Sequence, residues 1–514
     1  MTPYAFTIPP GSDLPALVAD LAGGLHVAPP EARRSRVRYF DSFDWRLHRA
    51  ERTLRRQDGT WDLQILGDGQ LLARAPARPG PWPRFAADFG ADSPLARPLA
   101  RLLGIRALVH LVTAVCRIES WDVRNEDQKI VLRVAAETFE LEKPAAGEPL
   151  ARLILMPLRG YEEHLQTAAR AAAARSLAAT TSPLLDALLC HGGLTPRSYG
   201  PGFQADLAPD QSALQAFVTI SRTLLRAMRQ NEAGLRADLD TEFLHDYRVA
   251  VRRQRSALGH FRGVVQDQAL APFAARFKQL GRLTGPLRDI DVDLLERERS
   301  LGLLPDHLRP GLQPRYERLL ASRATELNRL RRALAAPDYR EFLAAWRTFL
   351  ADPPQGELAE VPLHTFASAR LRKLHQSVLR DGRAITPRSP DADLHRLRIR
   401  CKKLRYLIEF SRSLFPAAVV DELLVHLKGL QDNLGEFNDL SVQQADLTAA
   451  LAAPDARGPA RLAEAAALGG LLTVLAGRHR EVRADFSRAF DDFAAPTVTR
   501  LFTRLYDLAE DVSA

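Results

Sequence analysis

A multidomain α+β chain is predicted: a β-rich N-terminal region followed by a long all-helical region. Three observations lead there. Short β-branched or aromatic segments separated by Gly, Asp, Asn and Pro fill the first 165 or so residues. Beyond Gln211 apolar residues recur every three or four positions, with Leu, Ala and Arg dominant. Within that helical region a single motif occurs twice, 150 positions apart.

The strand candidates are Tyr4–Ile8, Arg36–Phe40, Trp61–Ile65, Lys129–Val134 and the segment around Leu153–Leu155. Ser93–Leu103 and Glu162–Leu189 carry helical spacing, and the Pro-rich run Ala75–Pro83 is a loop. Pro196, Gly200, Pro201, Gly202 and Pro209 make the stretch near residues 196–210 the natural linker. Domains are therefore expected at 1–195 and 211–514, the latter as repeats of about 211–351 and 357–514 around the Asp352–Gly356 interruption.

Composition narrows the class. The chain has 514 residues, 46% of them hydrophobic, and a net charge of +9, which is soluble globular composition. No apolar run reaches the length of a membrane span; Ala465–Ala476 is too short. The first fifteen residues lack the basic and apolar regions of a secretory signal. Cys116, Cys190 and Cys401 are odd in number and far apart, which points to a reducing, cytoplasmic compartment. From Gln211 onward 46 Lys and Arg stand against 38 Asp and Glu. That excess of +8 favours a polyanionic partner without choosing among nucleic acid, anionic membrane and phosphate polymer.

The repeated motif is His-x-x-Arg-x-x-x-basic-basic-x-Arg. It runs through His245, Arg248, Arg252, Arg253 and Arg255, and again through His395, Arg398, Lys402, Lys403 and Arg405. On a helix, offsets of 0, 3, 7 and 10 fall within an arc of about 80°. Each set is then one cationic stripe, which repels itself unless counter-charges or an anion face it. A solvated or self-neutralised face is the plain alternative; retention of His first and Arg last in both copies weighs against it. The same offset pairs Lys278 with Lys428, Gly285 with Gly435, and Asp289 with Asp439. Lys278, Arg282 and Lys428 are candidates for the groove wall. The two Asp are expected to hold an Arg fork, and the two Gly to permit close helix packing. Neither His belongs to a metal-binding pattern, and no nucleophile recurs beside them, so no metal, cofactor or catalytic residue is expected.

At these residues the sequence resembles the CHAD family, named for conserved histidines in an α-helical domain. The resemblance covers roughly Gln211–Ala514, including both Gly-x-x-Arg/Asn-Asp segments. It implies two helical bundles related by a pseudo-two-fold axis, whose basic groove binds inorganic polyphosphate. Association with polyphosphate or other storage granules in a bacterial cytoplasm goes with that family. The N-terminal region resembles the CYTH, or triphosphate tunnel, family through Tyr39–Asp44, Leu47, Leu54–Arg56 and Trp61–Leu63. That resemblance implies an antiparallel barrel-like domain with a Glu-x-Glu-x-Lys first strand. Tyr4–Ile8 carries neither carboxylate nor Lys, and Ala151–Leu155 has no acid, so Mg²⁺-dependent phosphoryl transfer lacks its ligands. Arg36, Arg38, Arg55, Arg56, Arg117 and Arg133 are candidates to line an anion-friendly cavity.

The leading expectation is a non-catalytic polyphosphate-binding protein. The alternatives are a metal-dependent triphosphatase or polyphosphate hydrolase, and a nucleic-acid-binding protein. Few aromatics accompany the stripes beyond Tyr247, Phe261 and Tyr406, which disfavours base stacking there. Chain-length preference and oligomeric state leave no mark in the sequence.

Overall fold

The computed structural model describes residues 4–9, 11–200, 202–452 and 458–511, with 459–460 and 507–511 by backbone alone. Pro201 of the expected linker and Ala514, the end of the second expected domain, lie outside the described residues. The chain divides into two compact units, Met1–Pro201 and Gly202–Ala514.

The first unit is built on β1 (Tyr4–Thr7), β2 (His26–Val27), β3 (Glu31–Ser42), β4 (Arg52–Gln57) and β5 (Thr60–Ile65). It continues with β6 (Leu71–Pro76), β7 (Leu108–Arg124), β8 (Ile130–Lys143) and β9 (Leu150–Met156). They form a nine-stranded antiparallel sheet in the order β1-β9-β8-β7-β3-β4-β5-β6, with β2 paired to β7. Five helices accompany it: α1 (Leu14–Leu21), α2 (Arg46–Arg49), α3 (Ala96–Leu103), α4 (Glu162–Ala174) and α5 (Leu184–His191).

Alternation along the strands sets two faces. On one, Val37, Tyr39, Ala114, Cys116, Phe139 and Leu141 pack against Leu185, Leu188 and Leu189 of α5. The other face is covered at its two ends. Phe6, Leu153, Leu155 and Val134 lie under α1 and α4, while Phe40, Leu54, Trp61 and Leu63 lie under α3. The helical run read from Glu162 to Leu189 is broken after Ala174. Ser176 turns left-handed at φ 57°, and the chain leaves to hydrogen-bond the β1 edge, Thr7 N to Ala178 O and Thr180 N to Ala5 O. Edge pairing of otherwise open strand groups outweighs helical propensity here.

The second unit is all helical: α6 (Ala213–Ala237), α7 (Thr241–His260), α8 (Asp267–Leu283), α9 (Gly285–Leu295), α10 (Arg297–Gly302), α11 (Gln313–Ala335) and α12 (Pro337–Phe349). Then follow α13 (Leu363–Arg383), α14 (Asp391–Phe410), α15 (Ala417–Ala452), α16 (Pro459–Ala484), α17 (Phe486–Ala494) and α18 (Pro496–Asp511). The starts of α6, α7 and α8 lie 150 positions before those of α13, α14 and α15. Two backbone hydrogen bonds mirror each other across this offset: Ala213 N to Val361 O at 2.9 Å, and Leu363 N to Gln211 O at 2.8 Å. Reciprocal bonds of this kind are the signature of a two-fold relation.

Local chemistry starts the site helices. Asp240 caps α7, its Oδ1 accepting from Glu242 N and Phe243 N. Phe243, Leu244, Tyr247, Ala250, Val251, Ala257 and Leu258 then bury one face of α7; Leu394, Leu397, Cys401, Leu404 and Ile408 do the same for α14. Each such Leu stabilises by about 1.5–3 kcal/mol when fully buried, so the rotation of each helix is set, and the cationic positions are left on the remaining face.

Candidate functional site

The helices α7 and α14 pack against one another, and several of the repeated cations meet along that contact. Lys402 is the centre. Burial, then Arg398, Arg252 and Arg405, push its ammonium down to about 8, opposed only by Asp439. Arg398 is lowered too, first by burial, with Asp439 pulling the other way and Arg252 adding to the fall. Arg252 comes from the first copy and Arg398 and Lys402 from the second, so the two stripes converge. Among the described residues Arg252 has no ion pair; its guanidinium lies 5.8 Å from the buried Tyr406 ring.

The other cations are held internally. Arg253 Nη2 donates to Glu409 Oε2 at 2.8 Å, and Arg405 Nε donates to Glu409 Oε1 at 2.7 Å. Arg405 also reaches Gln431 Oε1, whose amide donates to Cys401 O. Arg248 Nη1 donates to Gly281 O at 3.2 Å and Thr284 Oγ1 at 3.0 Å. Burial lowers its pKa, Asp289 opposes, and Arg252 and Arg288 add to the fall. Arg398 Nη2 lies 3.6 Å from Asp439, and His395 Nδ1 is 2.8 Å from Asn438 Oδ1. Arg398 Nε is buried and makes no hydrogen bond among the described residues, an arrangement that costs free energy until an acceptor arrives.

The remaining candidates lie outward. Lys278, Arg282, Lys403 and Lys428 are exposed, and Lys428 bonds Asp432 one turn along its own helix at 2.6 Å. Arg282 instead borders a cleft of about 460 Å³ with Arg329, Tyr339 and Phe342. His245 is half-buried at the start of α7. Burial first, and then the Lys403 charge, lower the pKa of buried His260 to about 4.

Two expectations are corrected. Gly285 and Gly435 do not serve close helix packing. A Cβ on Gly285 would meet only Arg248 Nη1, at 3.7 Å, and one on Gly435 would meet nothing within 4 Å. Close packing falls instead on Gly234 and Gly382, where a Cβ would collide with the rings of Phe243 and Phe490; at the site itself a Cβ on Gly281 would lie 3.0 Å from Arg255 Nη1. The six N-terminal arginines also do not share one cavity. Arg55 and Arg133 lie on the α5 side, bound to Asp62 and Asp122, whereas Arg36, Arg38, Arg56 and Arg117 occupy the opposite face. Strand parity separates them.

Glu409, Gln431, Asn438 and Phe203, whose ring lies 5.8 Å from Arg253, were not singled out from the sequence. Glu409 was within reach of sequence reasoning, four residues after Arg405 on the same helix. The others depend on tertiary contact. Among the described residues no group of three or more His, Cys, Asp or Glu is arranged to hold a metal ion, and no helix is long and apolar enough to cross a membrane.

Known proteins resemble parts of this chain. No curated protein matches the chain. The crystal structure of the CHAD domain from the plant Ricinus communis is 27% identical, covering 56% of this chain and 96% of its own, with a TM-score of 0.47. PptA from Streptomyces chartreusis is 17% identical, covering 55% of this chain and all (100%) of its own, with a TM-score of 0.42. HpAC1 from Hippeastrum, for which a dominant triphosphatase activity is described, is 13% identical over 38% of this chain and 98% of its own, with a TM-score of 0.25. The family model described as the CHAD domain matches residues 219–448, which span α7, α14 and the whole cation cluster. Residues 219–448 of this chain are a CHAD domain.

Proposed function

We propose that the second unit binds inorganic polyphosphate where the two repeated helices meet, and that the chain does not hydrolyse it. One observation carries the reading: Arg252, Arg398, Lys402 and Arg405 crowd together with too few acids, so that the lysine itself is driven toward neutrality. A linked phosphate chain supplies several negative charges at close spacing. Arginine forks and an ammonium group suit it as hydrogen-bond donors. On this reading His245, Arg248, Lys278, Arg282, Lys403 and Lys428 extend the electrostatic field around the cluster, and Arg253 and Arg405 become available when Glu409 yields. The repeats 211–351 and 357–514 then contribute one wall each.

The non-catalytic assignment rests on the first unit. There Arg74 donates to Asp62 at 2.6 Å, Arg133 to Asp122 at 2.8 Å and Arg152 to Glu137 at 2.6 Å. Acids and bases on that face already satisfy one another, and phosphoryl transfer needs charge directed at substrate.

The test is titration of the purified chain with long-chain polyphosphate at several salt concentrations, with phosphate release followed in Mg²⁺. Binding whose logarithm falls linearly with log salt, without sustained release, is the predicted outcome. Turnover abolished by a chelator would overturn the non-catalytic assignment, and no binding at low salt would overturn the whole.

A further inference from the structure

The sheet of the first unit carries a second basic surface, distinct from the helix cluster. Between the two helix-covered ends of one face, Arg34 sits directly opposite Arg117 across β3 and β7, and Arg38 directly opposite Arg56 across β3 and β4. The row continues from Arg38 through Thr113 to Lys143 on β8, and from Arg56 to Trp61 on β5. Arg36 lies between Arg34 and Arg38 on the same side. Like charges directly opposite one another destabilise a sheet, yet this face has two such pairs. Its own acids are three: Glu142 bonds Arg36 at 2.7 Å, Glu140 faces Val115, and Glu119 faces Ala32 beside Arg117. Among the described residues Arg34, Arg117 and Lys143 have no ion pair.

The rings beside the helix cluster, Tyr406 and Phe203, are buried and half-buried, whereas this face ends in an exposed one. Trp82 is 40% exposed; Pro81 and Pro83 on either side restrict its backbone. Its ring takes the Arg38 guanidinium at 5.7 Å and packs on Phe40 and His110. Arg56 lies 5.8 Å from the Trp61 ring. Trp61, Trp82, Arg56 and Arg78 together line a cleft of about 500 Å³. Same-face residues two apart on a strand are about 6.6 Å apart, so Arg34, Arg36 and Arg38 form an evenly spaced ladder leading to that cleft. A ladder of cations beside an exposed indole, Trp82, with the buried Trp61 behind it, suits a chain of alternating phosphates and flat bases; a bare phosphate polymer has no use for the ring.

We propose that this face of β3, β4 and β7, with Trp82 at its end, binds single-stranded nucleic acid. Phosphates lie along the arginine ladder, and a base stacks on Trp82 at the mouth of the cleft.

The experiment measures fluorescence anisotropy of a labelled oligothymidylate of about 20 nucleotides, a length sufficient for several phosphate contacts and a base stack, on the full chain. R38E/R56E is expected to weaken binding by about tenfold or more. Trp82→Ala is expected to cost about fivefold or more, and Trp82→Phe less, because a smaller ring still stacks. R252E/K402E in the helix cluster should leave oligonucleotide binding within about twofold while abolishing polyphosphate binding. R38Q/R56Q, with its melting temperature compared to that of the parent chain, separates lost contacts from lost folding. Undiminished oligonucleotide binding in folded R38E/R56E would overturn the proposal. So would polyphosphate competing at the sheet as well as an unlabelled oligonucleotide, since the surface would then be a generic polyanion site. Neither result would bear on polyphosphate binding at the helix cluster.

Discussion

The two copies of the repeated helix motif solve the same electrostatic problem differently. In the first, Arg248 is tied to the Gly281 carbonyl and the Thr284 hydroxyl, and Arg255 lies over the bare Cα of Gly281. In the second, Leu434 and Gln431 occupy the positions equivalent to Thr284 and Gly281. There, among the described residues, Arg398 finds only Asp439 at 3.6 Å, and Arg405 is held by Gln431 and Glu409. Glu409 has no counterpart, because the first copy has Gly259 there. Pro286 explains a further difference. Lacking an N–H, it ends the helical ladder, so the first copy divides into α8 and α9 where the second runs on as α15. The first copy thus anchors Arg248 on a backbone carbonyl and a hydroxyl, whereas the second leaves Arg398 and Lys402 short of partners. A ligand would gain most at the second.

The largest expected effect comes from reversing charge where the copies meet. R252E/K402E should lower polyphosphate affinity by about 100-fold or more, because each reversal sets a carboxylate against the phosphates, with the circular dichroism spectrum unchanged. Unaltered affinity in the folded double variant would mean that the stripes do not share a ligand.

A second effect is pH dependence, and its sign follows from Lys402. Its pKa in the fold, about 8, is below the unfolded value. The charged form is therefore penalised in the ligand-free fold below pH 8, and that penalty disappears as pH rises from about 8 toward the unfolded value. A bound polyanion reverses the preference. Binding should take up protons above about pH 8, and affinity should fall as pH rises through that value. Calorimetry in buffers of different ionisation enthalpy measures the uptake. Lys402→Arg should remove both effects, because guanidinium does not titrate there.

Glu409 sharpens the asymmetry. Glu409→Gln should raise polyphosphate affinity about threefold or more, by removing the competing carboxylate from Arg253 and Arg405. It should also lower unfolding stability by about 1–3 kcal/mol, since a half-buried ion pair loses one partner. Tighter binding and a lower melting temperature in one variant distinguish a counter-ion from a structural brace; weaker binding would contradict this role.

Smaller effects are expected at the anchors and from the first unit. Thr284→Val removes the hydroxyl beneath Arg248 and should cost about 1 kcal/mol of stability, with affinity changed by about twofold, measured by denaturant titration and anisotropy. Expressed alone, residues 202–514 should bind polyphosphate within about twofold of the full chain. Loss of binding in that fragment would show a direct contribution from the first unit.

Much of this was legible in the sequence because period and repetition carry it. The strand segments around Arg36–Phe40 and Trp61–Ile65 alternate plainly. The stripes His245–Arg255 and His395–Arg405 declare themselves by recurring at one spacing. What escaped reading was partnership. That Arg253 is neutralised by Glu409 across 156 positions, while Arg252 beside it is not, depends on the rotation of two helices about their contact. Lys428 has the repeat spacing of a groove residue, yet its ammonium is satisfied by Asp432 on its own exposed helix face. The six arginines of the first unit were equivalent in composition, and only strand parity divides them between the two faces of the sheet. Gly435 shows the limit of arguing from repetition: it matches Gly285 in position and meets nothing.

Selective isotope labelling of lysine, with Lys402 assigned by mutation, allows its ammonium to be titrated by nuclear magnetic resonance in the free chain, in Arg252→Gln and with polyphosphate bound. The account predicts a midpoint of about 8 in the free chain, a higher one when Arg252 is neutral, and a return to the ordinary lysine range on binding. A normal midpoint in the free chain, or one indifferent to both Arg252 and polyphosphate, would contradict the claim that the two copies converge on a single anion site.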